Sequence, residues 1–299
     1  MKLGYIGLGK MGSNMVERLL EKGHEVVVFD NNEDAVKNIS RHGAEPAYSL
    51  QTLASALITP RLIWIMVPHH AVDSVIKGLS PFIQPADTLI DGGNSPYKET
   101  IKRSRELQEK GINFLDAGVS GGPSGARTGA CIMVGGRKDI FERYEKLFSA
   151  LSAGGSYGYM GKSGAGHFVK MVHNGIEYGM MQAIAEGFAL LKASPFQLNL
   201  TEVAEIYNHS SVIESRLVEW LRKAFEEHGE DLDNISGSVS HTGEGSWTVE
   251  AAKESGIPMP VIEGALQFRI DSQKNPSYTG RILSALRNQF GGHDVFKRD

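Results

Sequence analysis

The sequence predicts an α/β fold in two parts: a Rossmann-type doubly wound sheet over residues 1–163, then an all-α domain over 164–299 built on a long helix. Three observations carry that prediction. Short apolar runs bounded by glycine, proline or aspartate recur through the first half, and the first opens into a Gly-x-Gly-x-x-Gly turn. After Gly164 such runs give way to apolar patterns of helical period. At the junction, the stretch from Gly164 to Leu190 contains no proline and reads as one continuous helix.

Taken in order, Lys2 to Leu8 is a buried strand, followed by Gly7-Leu8-Gly9-Lys10-Met11-Gly12 and the helical pattern Met15, Val16, Leu19, Leu20. A Gly-x-Gly-x-x-Gly between strand and helix permits a tight turn, close approach of backbone to a pyrophosphate, and helix–sheet packing. The helix N-terminus supplies N–H groups and a dipole to the diphosphate. The next strand, Glu25 to Phe29, ends in Asp30. An acidic residue there accepts hydrogen bonds from the adenosine ribose and repels a 2′-phosphate. Asn31, Asn32 and Glu33 follow it with no arginine, so the expected cofactor is NAD rather than NADP. A turn aspartate without a ligand is the plainer alternative.

Leu62 to Val67 and Thr88 to Asp91 are further buried strands. Their ends fall at the carboxyl edge of a parallel sheet, where α/β proteins bind ligands. Val67 and Pro68 are expected beside the dinucleotide, and Asn94 in Asp91-Gly92-Gly93-Asn94-Ser95 to offer its amide to cofactor or substrate, although a simple turn would look similar. Asn113 to Ala117 leads into the glycine-dense Gly118-Val119-Ser120-Gly121-Gly122-Pro123-Ser124-Gly125-Ala126. That stretch reads either as a loop wrapping an anion or as a flexible hairpin connection. Strands near Cys131–Gly135 and Ser156–Tyr159 close this half, and Cys131 reads as a buried strand residue.

In the long helix, Lys170, His173, Asn174, Glu177 and Tyr178 fall on one face. A core-facing stripe should be apolar. This one carries an amine, an imidazole, an amide, a carboxylate and a phenol, which fits an active-site face or a solvated one. Gly175, Gly179 and Gly187 each weaken the helix by about 1 kcal/mol relative to alanine, which implies close approach of a neighbour. Helical patterns follow at 200–208, 213–227, 248–253, 261–272 and 278–289. Between them, Thr242-Gly243-Glu244-Gly245-Ser246-Trp247-Thr248 is a glycine-rich helix start that suits an anion or an ordinary cap.

Composition narrows the partners. A net charge of −4 gives no electrostatic reason to expect nucleic acid or an anionic membrane. No apolar run approaches the ~20 residues of a membrane span. One cysteine excludes an intramolecular disulfide, and no cluster of metal ligands stands out. Met1 to Tyr5 starts directly into a strand without a signal peptide, so the cytoplasm is the expected compartment.

Gly7 to Gly12, Gly92-Gly93-Asn94-Ser95, Val119-Ser120-Gly121-Gly122 and Lys170 to Tyr178 stand in the order found in one family. With them the chain resembles the decarboxylating 6-phosphogluconate dehydrogenases, of the short, bacterial, NAD-preferring kind, within the β-hydroxyacid dehydrogenase superfamily. The resemblance implies Lys170 as base and Glu177 as acid. It implies Asn94, Ser120, Gly121, Gly122, His173 and Asn174 as contacts of the sugar acid, with Tyr178, Thr248 and Arg269 reaching its 6-phosphate. Arg287 and His293 match a tail motif that the family supplies from a neighbouring subunit, which implies a homodimer or a dimer of dimers. Ser246 stands where the family carries a phosphate-binding lysine. The rival readings are a non-decarboxylating enzyme of the 3-hydroxyisobutyrate type, a related aldonate such as gluconate as substrate, and a dinucleotide-binding sensor without turnover.

Overall fold

A computed structural model of the chain describes residues 1–240 and 243–295; His241 and Thr242 of the glycine-rich helix start lie outside the described residues. The chain divides into two compact units, Met1–Lys170 and Met171–Asp299.

The strands of the first unit are β1 (Lys2–Ile6), β2 (Glu25–Phe29), β3 (Glu45–Pro46), β4 (Leu62–Ile65), β5 (Thr88–Asp91), β6 (Asn113–Ser120), β7 (Ala130–Gly136) and β8 (Ser152–Gly161). Between them run α1 (Lys10–Glu21), α2 (Glu33–Ser40), α3 (Leu50–Ser55), α4 (Val72–Leu79), α5 (Tyr97–Glu109), α6 (Gly122–Thr128), α7 (Lys138–Arg143) and α8 (Glu145–Leu151). The strands form one sheet in the order β3-β2-β1-β4-β5-β6-β7-β8. The first six are parallel, β7 runs antiparallel to β6, and β8 parallel to β7. The order reverses between β1 and β4, the switch point beside which α/β sheets bind ligands. β4 and β5 are buried at every position, as strands covered on both faces must be. One face packs Leu3, Tyr5, Trp64 and Ile90 against Met15 and Phe148; the other packs Ile6, Val27, Ile65 and Leu89 against Leu53, Leu79 and Leu107.

α9 (Ala165–Lys192) is one helix of 28 residues, and the boundary between the units falls inside it. The sequence pattern alone places the boundary after residue 163. The difference arises because the first turns of α9 belong to the sheet: Asp116 of β6 accepts the N–H groups of Gly164 (2.8 Å) and His167 (2.9 Å). Two readings are corrected. Cys131 lies in β7 but is exposed: it stands near the start of the strand, and the same face is covered only farther along, at Met133 and Gly135. Residues 118–126 are not a loop: β6 continues through Ser120, and α6 begins at Gly122.

The second unit holds the rest of α9 with α10 (Leu200–Tyr207), α11 (Arg216–His228), α12 (Glu244–Glu254), α13 (Pro260–Ser272) and α14 (Tyr278–Gly291). Met181, Ala185 and Phe188 of α9 pack with Leu200, Leu221, Phe225, Ile282 and Leu286. Asn199, Ser215 and Ser277 cap α10, α11 and α14 by accepting the backbone N–H of Glu202, Val218 and Gly280. Among the described residues, no helix is long and apolar enough to cross a membrane.

Candidate active site

At the switch point, Gly7 leaves β1 with φ +97°, and a Cβ there would lie 2.2 Å from the Met66 carbonyl oxygen. Only glycine fits that turn. Gly9 precedes α1, and a Cβ on it would meet nothing within 4 Å, so the turn's outer side is open. No side chain caps α1, and its first turn, Lys10 to Gly12, carries no acidic residue. The dipole at this end therefore faces open space and favours an anion. Asp30 ties β2 to the turn: it accepts the N–H of Leu8 at 2.6 Å and that of Asn32 at 2.8 Å. Each carboxylate oxygen keeps capacity for a ribose hydroxyl. Val67 and Pro68 follow β4 and lead into a short turn at His69–Ala71. An uncapped helix, an open glycine edge and an anchored aspartate fit a dinucleotide.

Asn94 sits in the turn after β5, whose Asp91 accepts the N–H of Gly93 (3.0 Å) and the hydroxyl of Ser95 (2.8 Å). Ser120 ends β6, Gly121 precedes α6 and Gly122 starts it. The sequence expected backbone N–H groups of a loop there; the structure offers a strand end and a helix start.

Lys170 is buried, 7% exposed. Its place is fixed by backbone contact. A Cβ at Gly118 would lie 2.4 Å from the Lys170 Cβ, and one at Gly166 would lie 2.4 Å from the Met133 carbonyl oxygen and 2.7 Å from that of Asp116. The helix thus rests directly on β6 and β7. Burial pushes the Asp116 carboxyl up, partly offset by His167 and the two backbone donors. His167 is itself buried, with Nδ1 2.8 Å from the Thr100 hydroxyl. Sequence reading missed both, since neither lies on the polar stripe.

Farther along α9, in the second unit, His173 and Asn174 are half-buried and in contact, Nδ1 to Oδ1 at 3.1 Å. His173 Nδ1 is 3.9 Å from a Glu177 carboxylate oxygen. Gly175 makes room for α12: a Cβ there would lie 2.6 Å from Thr248 Cγ2. Gly179 similarly approaches Val261, whereas Gly187 faces open space, so the expected close approach holds at two of the three glycines. Thr248 directs its hydroxyl to the carbonyls of Met171 (2.8 Å) and Glu244 (2.9 Å), which makes it a helix–helix tie within this unit.

Tyr178 and Arg269 form a stacked pair, the guanidinium carbon 3.4 Å from the ring centroid. Arg269 is 2% exposed; its Nε has no hydrogen-bond acceptor among the described residues, and burial brings its pKa down to about 10. Arg287 is also buried, donates to the Ser240 hydroxyl at 2.8 Å and is lowered by burial. It acts electrostatically on Arg269 and Tyr178 of its own chain. α14, which carries Arg287, packs into its own unit's core through Ile282, Leu283 and Leu286. His293 stays there too, its carbonyl accepting from Asn288 Nδ2 at 2.9 Å and its ring lying against Gly291. Two buried cations that repel one another, one with an unsatisfied donor, are a setting that an anion would relieve.

That pair yields a measurable expectation. Charged Arg269 is disfavoured by folding at neutral pH, because its folded pKa lies below the unfolded one and the penalty fades only as pH rises above about 10. Arg269→Met should therefore melt no lower than wild type by more than a few degrees. Millimolar phosphate is expected to raise the melting temperature of the wild type, and that rise should vanish in the variant.

Residues 2–175 match the family model described as the NAD binding domain of 6-phosphogluconate dehydrogenase, and residues 166–279 match the C-terminal domain of 6-phosphogluconate dehydrogenase. A Bacillus subtilis protein, YqeC, which carries 6-phosphogluconate dehydrogenase as a provisional name, is 46% identical over the whole of both chains. The NAD-dependent, decarboxylating 6-phosphogluconate dehydrogenase of Haloferax volcanii is 42% identical, again over the whole of both. Among solved structures, the Plasmodium falciparum 6-phosphogluconate dehydrogenase, determined apo, with NADP+ and with 6-phosphogluconate, superposes with TM-score 0.84 at 30% identity, over 92% of this chain and 62% of that one. The Mycobacterium tuberculosis 3-hydroxyisobutyrate dehydrogenase shares the fold at TM-score 0.74 and 20% identity, over 96% of this chain and 99% of that one. With a dinucleotide-binding first unit and a matching helical second one, the chain is an oxidoreductase of the 6-phosphogluconate dehydrogenase family.

Proposed function

We propose that the protein oxidises 6-phosphogluconate with NAD and releases C1 as carbon dioxide, giving ribulose 5-phosphate. The observation that carries this reading is the stripe on α9: a buried lysine and, two turns on, a carboxylate beside a histidine and an asparagine. The named activity of the Haloferax volcanii relative supports it.

Gly7, Leu8, Gly9, Lys10, Met11 and Gly12 would hold the diphosphate of the dinucleotide, Asp30 its adenosine ribose, and Val67, Pro68 and Asn94 would border it. Bound there, the group would supply the acceptor for the hydride lost from C3. Lys170 takes the proton of the C3 hydroxyl, and the product is a 3-keto acid β to the carboxylate. As C1 leaves as carbon dioxide, its bonding pair forms the C2–C3 double bond, and Lys170 returns a proton to the C3 oxygen. In the resulting enediol, Lys170 again removes that proton while Glu177 protonates the former C2, which becomes C1 of ribulose 5-phosphate. Asn94, Ser120, Gly121, Gly122, His173 and Asn174 orient the sugar acid. Arg269 and Arg287, with Tyr178 stacked on the first, take the 6-phosphate, and Thr248 holds α12 in place behind them. Lys170 and Glu177 stand about 10 Å apart along the helix axis, so they serve adjacent carbons only if their side chains converge.

Glu177→Gln should lower overall turnover by about 10²-fold or more while impairing carbon dioxide release far less. The two are separated by following labelled carbon dioxide and ribulose 5-phosphate in one time course. The exposed Ile176, Met180, Ile257 and Val261 of the second unit support a homodimer or a dimer of dimers. Ser246 favours a second reading, an unphosphorylated aldonate. Comparing kcat/KM for 6-phosphogluconate, gluconate and 3-hydroxyisobutyrate tests the choice: the buried arginines predict a strong preference for the phosphate, and equal use of gluconate would overturn it.

A further inference from the structure

The guanidinium of Arg103, on α5, is 6% exposed and reaches the turns after both β4 and β5. Its Nε and Nη2 hold the Asp73 carboxylate of α4 at 2.6 and 3.2 Å, and Nη2 also approaches the His69 carbonyl at 3.4 Å. Nη1 donates to the Ser95 hydroxyl at 3.1 Å and approaches Asp91 Oδ2 at 3.5 Å. Ser95 in turn donates to Asp91, whose other oxygen accepts the Gly93 N–H. The two turns also meet directly, since a Cβ on Gly93 would lie 2.6 Å from the Val67 carbonyl oxygen. One cation therefore fastens the turn carrying Val67 and Pro68 to the turn carrying Asn94. Arg103 also lines a cavity of about 390 Å³ with Lys77, Lys102 and Glu106.

We propose that Arg103 is a positioning residue for the reaction, holding these two turns in one register so that cofactor and sugar acid are presented together. It touches neither, and the inference rests on the role given to Asn94 above. The planar guanidinium is required because one group must donate in three directions at once; an ammonium at the end of a lysine keeps the charge but loses the fork.

Hydrogen–deuterium exchange of Arg103→Lys, without any ligand, tests the clamp independently of substrate. Faster exchange by about tenfold, confined to residues 66–71 and 92–96, is expected for loss of a charge-assisted bond of this kind. Unchanged exchange there, or acceleration spread through the whole first unit, would overturn the proposal. Ser95→Ala is the companion variant: it should loosen residues 92–96 alone, and it serves if Arg103→Lys does not fold. In turnover, kcat of Arg103→Lys should fall about tenfold or more with the KM for NAD changed by less than about threefold, since small misplacements cost rate rather than binding. Loosened turns with unchanged kcat would remove the positioning role, whereas a wild type inactive on 6-phosphogluconate would refute only the substrate reading and leave the exchange result standing.

Discussion

Lys170→Ala should abolish oxidation, with kcat reduced by at least about 10⁴-fold, because in the proposed mechanism this one group serves three proton transfers, each of which a general catalyst accelerates by about 10² or more. The loss is expected in the first step, so no oxidised intermediate should accumulate and no carbon dioxide should appear. Stopped-flow observation of reduced cofactor checks this, alongside melting curves that show the variant folded. Folding should survive: Lys170 sits where the helix passes over Gly118, and an alanine keeps the Cβ that makes the contact while removing a buried amine. Substantial turnover in a folded Lys170→Ala would end the mechanism proposed for this helix.

Gly166→Ala is the second large effect, and it acts through structure. In a helix, alanine gains about 1 kcal/mol over glycine, so the exposed equivalent would be stabilising. Here the added methyl would stand 2.4 Å from the Met133 carbonyl oxygen and 2.7 Å from both the Asp116 oxygen and the Gly135 nitrogen. All three are backbone atoms of paired strands and cannot turn aside. Overpacking of this sort costs about 1–3 kcal/mol, occasionally more, so the steric cost exceeds the helical gain. A fall of several degrees in melting temperature is expected, with a loss of activity larger than the unfolded fraction explains because Lys170 moves with the helix. Calorimetry together with specific activity checks both. A variant as stable and active as wild type would show that α9 does not rest on β6 and β7 as described.

How much of this was legible beforehand follows from the range of the interactions involved. A strand such as Leu62–Ile65 is readable because burial on both faces forces an unbroken apolar run. The long helix was readable because proline is absent and its polar stripe keeps helical spacing. The seven residues of α6 were not, since glycine, proline and serine at 122–125 imitate a loop while Ala126, packed in the core, fixes them as a helix. Cys131 is the exception among buried neighbours Ile132, Met133 and Val134, because how far along the strand its face is covered depends on elements distant in sequence.

The candidate site divides along the same line. Residues that share α9 announce themselves by spacing. Groups that meet through the fold do not: Asp116 with the start of α9, Arg103 with Asp73, and Arg287 beside Tyr178 are separated by tens to about a hundred positions. The tail showed this most clearly. Its motif singled out Arg287, but the burial of that group and its place beside Tyr178 follow from the packing of α14.

The central claim is that oxidation on this scaffold is followed by loss of C1. Incubating the enzyme with NAD and 6-phosphogluconate labelled at C1, and counting reduced cofactor and labelled carbon dioxide together, tests it most directly. One carbon dioxide per reduced cofactor, with ribulose 5-phosphate as the other product, is the predicted result. Reduced cofactor accumulating while the label stays in an acid would contradict the account and assign the chain to non-decarboxylating chemistry.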